Sequence, residues 1–255
     1  MPLDIVTIPC LSDNYAYLAH DAATGATAVI DVPEAAPILN ALAEREWRAS
    51  HILITHHHDD HVAGVQTLAA VTGARVIGAA ADAHRLPPLA ERVREADLIR
   101  VGLAAGRVID VSGHTMGHIA FHFAESGAVF TADSLMALGC GRLFEGTPDR
   151  MWESLSKLAA LPPETLVYSG HEYTAANGRF ALTIEPGNAA LISRCEAVAK
   201  ARAAGRPTVP SLLSEELATN PFLRARLPEV KAAIGMSGAS DAAAFAEIRA
   251  RKDRF

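Results

Sequence analysis

The segment Thr55-His56-His57-His58-Asp59-Asp60-His61 constrains the fold of this chain more than any other stretch. It places imidazoles and carboxylates at successive positions directly after the apolar run Ile52-Leu53-Ile54. Side chains of an extended segment alternate between two faces, so His56, His58 and Asp60 are expected to share one face. A solvated His-rich loop is the alternative. We predict a metal centre at the end of a strand.

Length and composition exclude several classes of protein. The 255 residues are 50% hydrophobic, yet no apolar run reaches the roughly 18 residues of a membrane span. The start lacks the basic flank and apolar stretch of a signal peptide, so we expect a cytoplasmic protein. A formal net charge of −6 argues against a nucleic-acid surface. The three cysteines, at no metal-like spacing, are typical of thiols in a reducing compartment.

Strand-like and helix-like runs alternate up to about residue 172. The predicted strands cover residues 4–9, 15–20, 27–32, 52–55, 75–78, 107–111, 119–124, 128–132 and 165–169. After residue 172, β-branched runs nearly vanish, and helices are predicted over 188–204 and 241–252, the latter with Asp241 as N-cap. We therefore predict a catalytic domain of residues 1–172 and a helical domain of residues 173–255.

Further histidine and aspartate residues end later strand-like runs. A lone residue of this kind is more often a cap or turn residue than a ligand. Together with the first cluster, however, they make a set that is hard to dismiss. The seven predicted metal ligands are His56, His58, Asp60, His61, His114, Asp133 and His171. His57 and Asp59 are assigned to surface or structural roles, and His118 to a hydrogen-bonding role beside a ligand.

Seven ligands are too many for one tetrahedral ion and suit two. We assign His56, His58 and His114 to one ion. The second ion takes Asp60, His61 and His171, and Asp133 bridges the pair. We expect zinc, although iron and manganese suit the same nitrogen and oxygen ligands.

Hydrolysis is the reaction class that such a site favours. Two ions about 3.5 to 4 Å apart share a hydroxide that attacks an acyl or phosphoryl centre. Asp60 and Asp133 are assigned as catalytic together with that hydroxide. No Gly-x-Ser-x-Gly segment is present, so the nucleophile is expected to be water.

Thr55–His61, Gly113–His118, Asp133 and Gly170-His171 resemble the metallo-β-lactamase superfamily. Further segments resemble glyoxalase II, the hydroxyacylglutathione hydrolases, along essentially the whole chain. They are Leu11–Tyr17, Gly139–Thr147, Gly170–Thr174, Asn220–Arg224 and the basic tail ending at Phe255. The resemblance implies an α/β fold, a metallo-β-lactamase-like αββα sandwich of two mixed sheets, followed by a C-terminal helical domain that binds glutathione.

The same resemblance implies a substrate and a mode of binding. The expected reaction is hydrolysis of S-D-lactoylglutathione to glutathione and D-lactate, the second step of methylglyoxal detoxification. The residues that match the family's substrate-binding positions are Arg142, Phe144, Tyr173, Arg249 and Lys252. Phe144 departs from the tyrosine that is common there, which removes a hydroxyl and about 1 kcal/mol of hydrogen bonding. For Arg249 and Lys252, favourable placement of cations at a helix C-terminus is the alternative.

Three other functions are open at this stage. The chain could be a hydrolase of the same fold for a lactone, β-lactam, phosphodiester or different thioester. It could be a persulfide dioxygenase with a single iron, or a binding module without activity. For partners we expect a small glutathione thioester, no nucleic acid, no membrane and a monomeric state.

Overall fold

The computed structural model describes residues 2–255, which divide into two compact units. The first unit extends to residue 110 and also contains residues 116–132, and the second contains residues 111–115 and 133–255. These units follow packing rather than the course of the sequence. The predicted boundary between residues 172 and 173 stays a prediction.

The first unit contains a mixed sheet in the order β1-β2-β3-β4-β5-β6. Its strands are β1 (Asp4–Cys10), β2 (Asn14–Asp21), β3 (Ala26–Ile30), β4 (Arg48–Leu53), β5 (Arg75–Ala79) and β6 (Glu91–Val93). The first three pair antiparallel and the last four pair parallel. Parallel neighbours need a crossover, which helices supply here. They are α1 (Ala35–Glu44), α2 (Asp59–Val62) and α3 (Val65–Thr72).

The core of this unit lies between the sheet and helices α1 and α3. Ile38 and Leu42 of α1 and Leu68 of α3 are buried in one apolar cluster with Leu18 and Ile52 of the sheet. The helices present these residues at helical spacing, while the strands present theirs at every second position. This packing fixes the end of β4, from which the predicted metal-binding segment continues.

A second set of strands in the same unit is antiparallel and runs in the order β10-β9-β8-β7. These strands are β7 (Leu98–Val101), β8 (Ala104–Asp110), β9 (Ile119–Phe123) and β10 (Ala128–Ala132). Tyr17 of β2 meets Phe130 of β10 with ring centroids 5.5 Å apart, so the two sets of strands face each other. The predicted α/β fold with two sheets is confirmed.

The second unit is mainly helical. Its strands are β11 (Leu135–Met136), β12 (Gly139–Cys140), β13 (Leu166–Ser169) and β14 (Ser211–Leu212). Its helices are α4 (Pro148–Ala159), α5 (Thr174–Ile184), α6 (Ala189–Ala203), α7 (Leu213–Thr219), α8 (Pro221–Arg224), α9 (Pro228–Ala233) and α10 (Asp241–Arg254). No helix among residues 2–255 is long and apolar enough to cross a membrane.

Two details of the sequence prediction are wrong. Ser240, not Asp241, caps α10, because the Ser240 side chain accepts from the Ala243 N–H and Asp241 is the first helical residue. Strand β4 ends at Leu53 rather than at residue 55. The predicted helix over 188–204 matches α6, whose N-cap Asn188 accepts from the Leu191 N–H.

A buried carboxylate organises the turn between β11 and β12. Glu216 is fully buried, and its Oε2 accepts from the Leu138 N–H at 2.9 Å and the Asn220 amide at 3.0 Å. Arg194 pairs with its other oxygen. Leu138 has a positive φ of 58°, a conformation that costs energy outside glycine and is held here by hydrogen bonds. Asn220 also donates to the carbonyl of Gly139 at 2.9 Å.

We expect Glu216→Ala to destabilise the protein by about 3 kcal/mol, because it leaves Arg194 and the Leu138 N–H without their buried partner. Chemical denaturation of the variant measures this change. Glu215→Ala is the matched control, since Glu215 is the exposed neighbour in the same helical turn. Equal losses from the two variants would show that the buried network contributes nothing.

Candidate metal centre

The segment that carries the predicted ligands leaves the sheet at Leu53 and turns into α2 at Asp59. His58 is the last extended residue, with φ −61° and ψ 141°. Strand-like alternation therefore applies only up to His58, and the prediction that it also orients Asp60 is wrong. Asp60 and His61 are set by the first turn of the helix instead.

His56 and His58 present ring nitrogens to each other. His56 Nε2 lies 3.2 Å from His58 Nδ1, and His56 is fully buried. Two ligands of a tetrahedral zinc ion, with bonds of about 2.0 to 2.1 Å, lie about 3.3 Å apart. The spacing and the imidazole donors therefore fit a metal such as zinc.

Asp60 and His61 form a second pair, with His61 Nε2 3.6 Å from Asp60 Oδ2. The Asn14 amide donates to that same Oδ2 at 3.0 Å and to the Asp60 carbonyl at 3.1 Å. Asn14 is buried, so it fixes the direction of the carboxylate. Sequence analysis placed Asn14 in a family-like segment but gave it no role.

Asp31, at the end of β3, holds the ligand segment from behind. Its carboxylate accepts from the Thr55 N–H, the Thr55 hydroxyl and the His61 Nδ1–H, each at 2.8 Å. Because the Thr55 hydroxyl donates to Asp31, its oxygen accepts from His56 Nδ1 at 3.0 Å. Both histidines are thereby fixed with Nε2 as the nitrogen that can take a metal.

Asp31 itself lies close enough to be considered a ligand, since one donor atom each of Asp31, His56 and His61 fall within 4.8 Å of one another. Its oxygens are already engaged by three donors, however, and it is only 2% exposed. We assign it to support rather than to ligation. The sequence signal that was missed is an aspartate directly after a strand, the same signal that selected Asp133.

The residues set aside from ligation have other contacts. His57 Nδ1 donates to Asp82 at 2.8 Å, and its ring meets the His58 ring edge-on with centroids 5.0 Å apart. His118 stacks on His56 with centroids 4.5 Å apart and an interplanar angle of 11°. Its Nδ1 lies 3.2 Å from the Ile119 carbonyl. A supporting role for His118 stays a prediction.

The second unit contains the other predicted ligands. His114 Nε2 lies 3.5 Å and His171 Nε2 3.3 Å from the same oxygen, Oδ2 of Asp133. His114 Nδ1 donates to the Arg142 carbonyl at 2.7 Å, which leaves its Nε2 toward the carboxylate. Glycine is needed at 141, because a Cβ there would lie 2.0 Å from the Asp133 carbonyl oxygen. These three side chains form one cluster around a carboxylate.

Two exposed aromatic rings border this cluster. The Tyr173 ring stacks on His171 with centroids 4.6 Å apart and an angle of 5°, and the residue is 39% exposed. Phe144 is 62% exposed and meets His114 edge-on at 5.3 Å. Both are predicted substrate-binding residues, and both present apolar surface to solvent beside a ligand.

The three predicted cations differ in how they are held. Arg249 is 6% exposed, and it donates to the Cys140 carbonyl at 3.0 Å and to Asp253 Oδ1 at 2.9 Å. Arg142 Nε lies 3.4 Å from the same Asp253 oxygen and is more exposed. Lys252 Nζ lies 5.3 Å from the Phe180 ring. Burial, reinforced by the charge of Arg249, lowers the pKa of Lys252 from its usual 10.5.

Comparison with known proteins covers the whole chain. Residues 16–171 match the metallo-beta-lactamase superfamily, and residues 172–255 match the hydroxyacylglutathione hydrolase C-terminus. A hydroxyacylglutathione hydrolase of Cereibacter sphaeroides is 67% identical over 255 residues, with 100% of both chains covered. The chain belongs to the hydroxyacylglutathione hydrolase family.

Solved structures with this fold are also similar. ETHE1 from Myxococcus xanthus has a TM-score of 0.67 at 26% identity, with 98% of this chain and 90% of that chain covered. TTHA1623, solved in a di-iron-bound form, has a TM-score of 0.56 at 30% identity, with 66% of this chain and 91% of that chain covered. The predicted metallo-β-lactamase fold is confirmed for this member of the hydrolase family.

We expect Asp31→Asn to weaken metal binding by about tenfold, because removing a partner of a ligating histidine typically has this effect. Asparagine tolerates the positive φ of 56° at this position. Competition with a chromophoric chelator measures the change. Asp59→Asn is the control, since Asp59 is exposed in the same segment. A wild-type affinity in Asp31→Asn would contradict the supporting role.

Proposed function

We propose that this chain hydrolyses S-D-lactoylglutathione and related 2-hydroxyacylglutathiones to glutathione and the hydroxy acid. The observation that carries the proposal is the 67% identity to a hydroxyacylglutathione hydrolase over the full length of both chains. The match of residues 172–255 to the hydroxyacylglutathione hydrolase C-terminus supports it further. The resemblance to glyoxalase II implies that this reaction is the second step of methylglyoxal detoxification.

We further propose that the seven ligands hold two divalent ions in the predicted division. His56, His58 and His114 would hold one ion, Asp60, His61 and His171 would hold the other, and Asp133 would be shared between them. The facing pairs in the first unit and the convergence of two histidines on one Asp133 oxygen in the second support this division. Zinc is proposed, while the di-iron form of TTHA1623 shows that a similar protein takes iron.

When bound, two such ions lower the pKa of a water molecule and polarise a carbonyl oxygen. The chain itself supplies the orientation of the donors. Asn14 holds the carboxylate of Asp60, and the Arg142 carbonyl holds the ring of His114. We propose that Asp60 and Asp133 are the catalytic carboxylates, because each presents an Oδ2 atom to a ligating histidine.

The two buried cysteines are unsuited to attack the thioester, which supports water as the nucleophile. Burial raises the pKa of Cys10 and of Cys140 to about 11, so both are protonated thiols at neutral pH. Thiols in this state are poor nucleophiles. The leaving thiolate of glutathione needs little protonation, since a thiol has a pKa of about 8.5. The reaction therefore calls for no separate general acid.

For the substrate, we propose that Arg142, Phe144, Tyr173, Arg249 and Lys252 bind the glutathione moiety. The exposed rings of Phe144 and Tyr173 offer apolar walls, and Lys252 offers a charge for a carboxylate. A monomeric state, a cytoplasmic location and the absence of nucleic-acid and membrane partners stay predictions from the sequence.

The purified protein loaded with zinc or iron is expected to release glutathione from S-D-lactoylglutathione and to contain about two metal ions per chain. A thiol reagent follows the product, and elemental analysis counts the metal. Lactone, β-lactam and phosphodiester substrates at equal metal loading are the comparison. Failure of the fully metal-loaded protein to release glutathione would contradict the proposal. A protein that contains one iron ion per chain and consumes oxygen would also contradict it.

Lys252→Glu is expected to raise KM for the thioester far more than it lowers kcat, because the charge serves binding away from the reacting carbonyl. Arg254→Glu is the matched control, with the same charge change at an exposed position in the same final turn. A fall in kcat alone would contradict the assignment. Equal effects of the two variants would favour the alternative of helix-end charge placement.

The lowered pKa of Lys252 also predicts a pH dependence. A lysine with a lowered pKa loses its positive charge at a lower pH than an ordinary lysine. Because this charge is proposed to bind the substrate, KM should begin to increase before the pH reaches 10.5. Lys252→Arg keeps its charge across this range, because arginine has a pKa above about 12. Steady-state kinetics from neutral to alkaline pH would show the rise in the wild type and a flatter profile in the variant.

A further inference from the structure

Asp82 is a buried carboxylate without an assigned role, and it contacts the metal-binding segment from outside. It ends the short 3-10 turn Ala80–Asp82 that follows β5, and it is fully buried. Its Oδ2 accepts from His57 Nδ1 at 2.8 Å, and its Oδ1 accepts from Arg85 Nε at 2.5 Å. Arg85 compensates a charge that would otherwise be costly to bury.

His57 lies between the proposed ligands His56 and His58 in the chain, and its ring meets the His58 ring edge-on with centroids 5.0 Å apart. His57 is joined to both neighbours through the backbone and to His58 through the ring contact as well. A hydrogen bond at His57 therefore restricts the direction of both adjacent imidazoles. Thr55, two residues earlier in the chain, is likewise held by a buried aspartate, Asp31.

Asp82 also packs directly against the backbone at Gly117. A Cβ built at Gly117 would lie 2.4 Å from both Cβ and Cγ of Asp82. The next residue, His118, stacks on His56 at 4.5 Å. Asp82 thus contacts the chain beside His56 at two points, through His57 in the ligand segment and through the residue before His118.

We infer that Asp82 is a positioning residue of the metal centre, acting through His57. It binds no metal in this inference, because its two oxygens are engaged by His57 and Arg85. It holds the outer face of the segment so that His56 and His58 keep their nitrogens at ligand spacing. The inference rests on the proposed metal assignment for His56 and His58.

A double-mutant cycle on metal affinity tests the inference. His57→Ala and Asp82→Ala are each expected to weaken zinc binding by about tenfold. The double variant is expected to lose no more than either single variant, because both residues act through one contact. Chelator competition gives the affinities, and thermal unfolding of the metal-free proteins separates loss of fold from loss of positioning.

Two further variants sharpen the result. Arg85→Gln keeps the contact between Asp82 and His57 and should retain wild-type affinity. His57→Asn places an amide N–H where Nδ1 lies and should restore most of the affinity that His57→Ala loses. If Asp82→Ala does not fold, the metal affinity of His57→Ala alone tests the inference. This variant keeps the ion pair between Asp82 and Arg85, so the buried charge stays compensated.

Wild-type affinity in a folded His57→Ala variant would overturn the inference, as would losses that add in the double variant. The outcome is independent of the proposed substrate, since no thioester is present. A wild-type protein that binds zinc but hydrolyses no thioester would contradict the proposed function alone. A wild-type protein that binds no metal would contradict both.

Discussion

The buried carboxylate of Asp31 is the constraint on which the candidate site depends. It sits at the end of β3 with a φ of 56° and accepts three hydrogen bonds from Thr55 and His61. A buried carboxylate is tolerated only when its oxygens are satisfied. Satisfying it here requires the chain after β4 and the first turn of α2 to meet at one point. The positions of the ligands follow from that requirement.

Both units orient their candidate histidine ligands in the same way, through a hydrogen bond from Nδ1. Three histidines each donate a hydrogen bond from Nδ1 to a neighbouring oxygen. His56 donates to the Thr55 hydroxyl, His61 to the Asp31 carboxylate and His114 to the Arg142 carbonyl. In a neutral imidazole the second nitrogen then carries the lone pair. Each ring is thereby fixed in tautomer and direction before any metal binds. Such preorganisation lowers the entropy that ligation would otherwise cost.

The sequence marks the candidate ligands but not the residues that support them, for a physical reason. A metal selects residue types, so a dense group of histidines and aspartates after an apolar run is visible in one dimension. Asn14, Asp31 and Asp82 are common residue types whose roles arise only when strands bring them beside a segment many residues away. The prediction that strand alternation orients Asp60 was wrong, because α2 begins at Asp59, one residue before Asp60. The hydrophobic periodicity of the sequence does not show at which residue an extended segment ends and a helix begins.

Arg249 and Lys252 lie on one helix but differ in how far their charges are already engaged by the protein. Arg249 donates hydrogen bonds to the Cys140 carbonyl and to Asp253, and its guanidinium lies 5.1 Å from the Phe222 ring. It therefore fixes β12, the strand that leads to Arg142. Lys252 lies between two aromatic rings, at 5.3 and 5.2 Å. Rings attract a cation without neutralising it, so Lys252 keeps a full charge for an incoming carboxylate. Of the two, the charge of Lys252 is the more available to a substrate. Arg249, which is also proposed to bind glutathione, is buried and holds β12 as well.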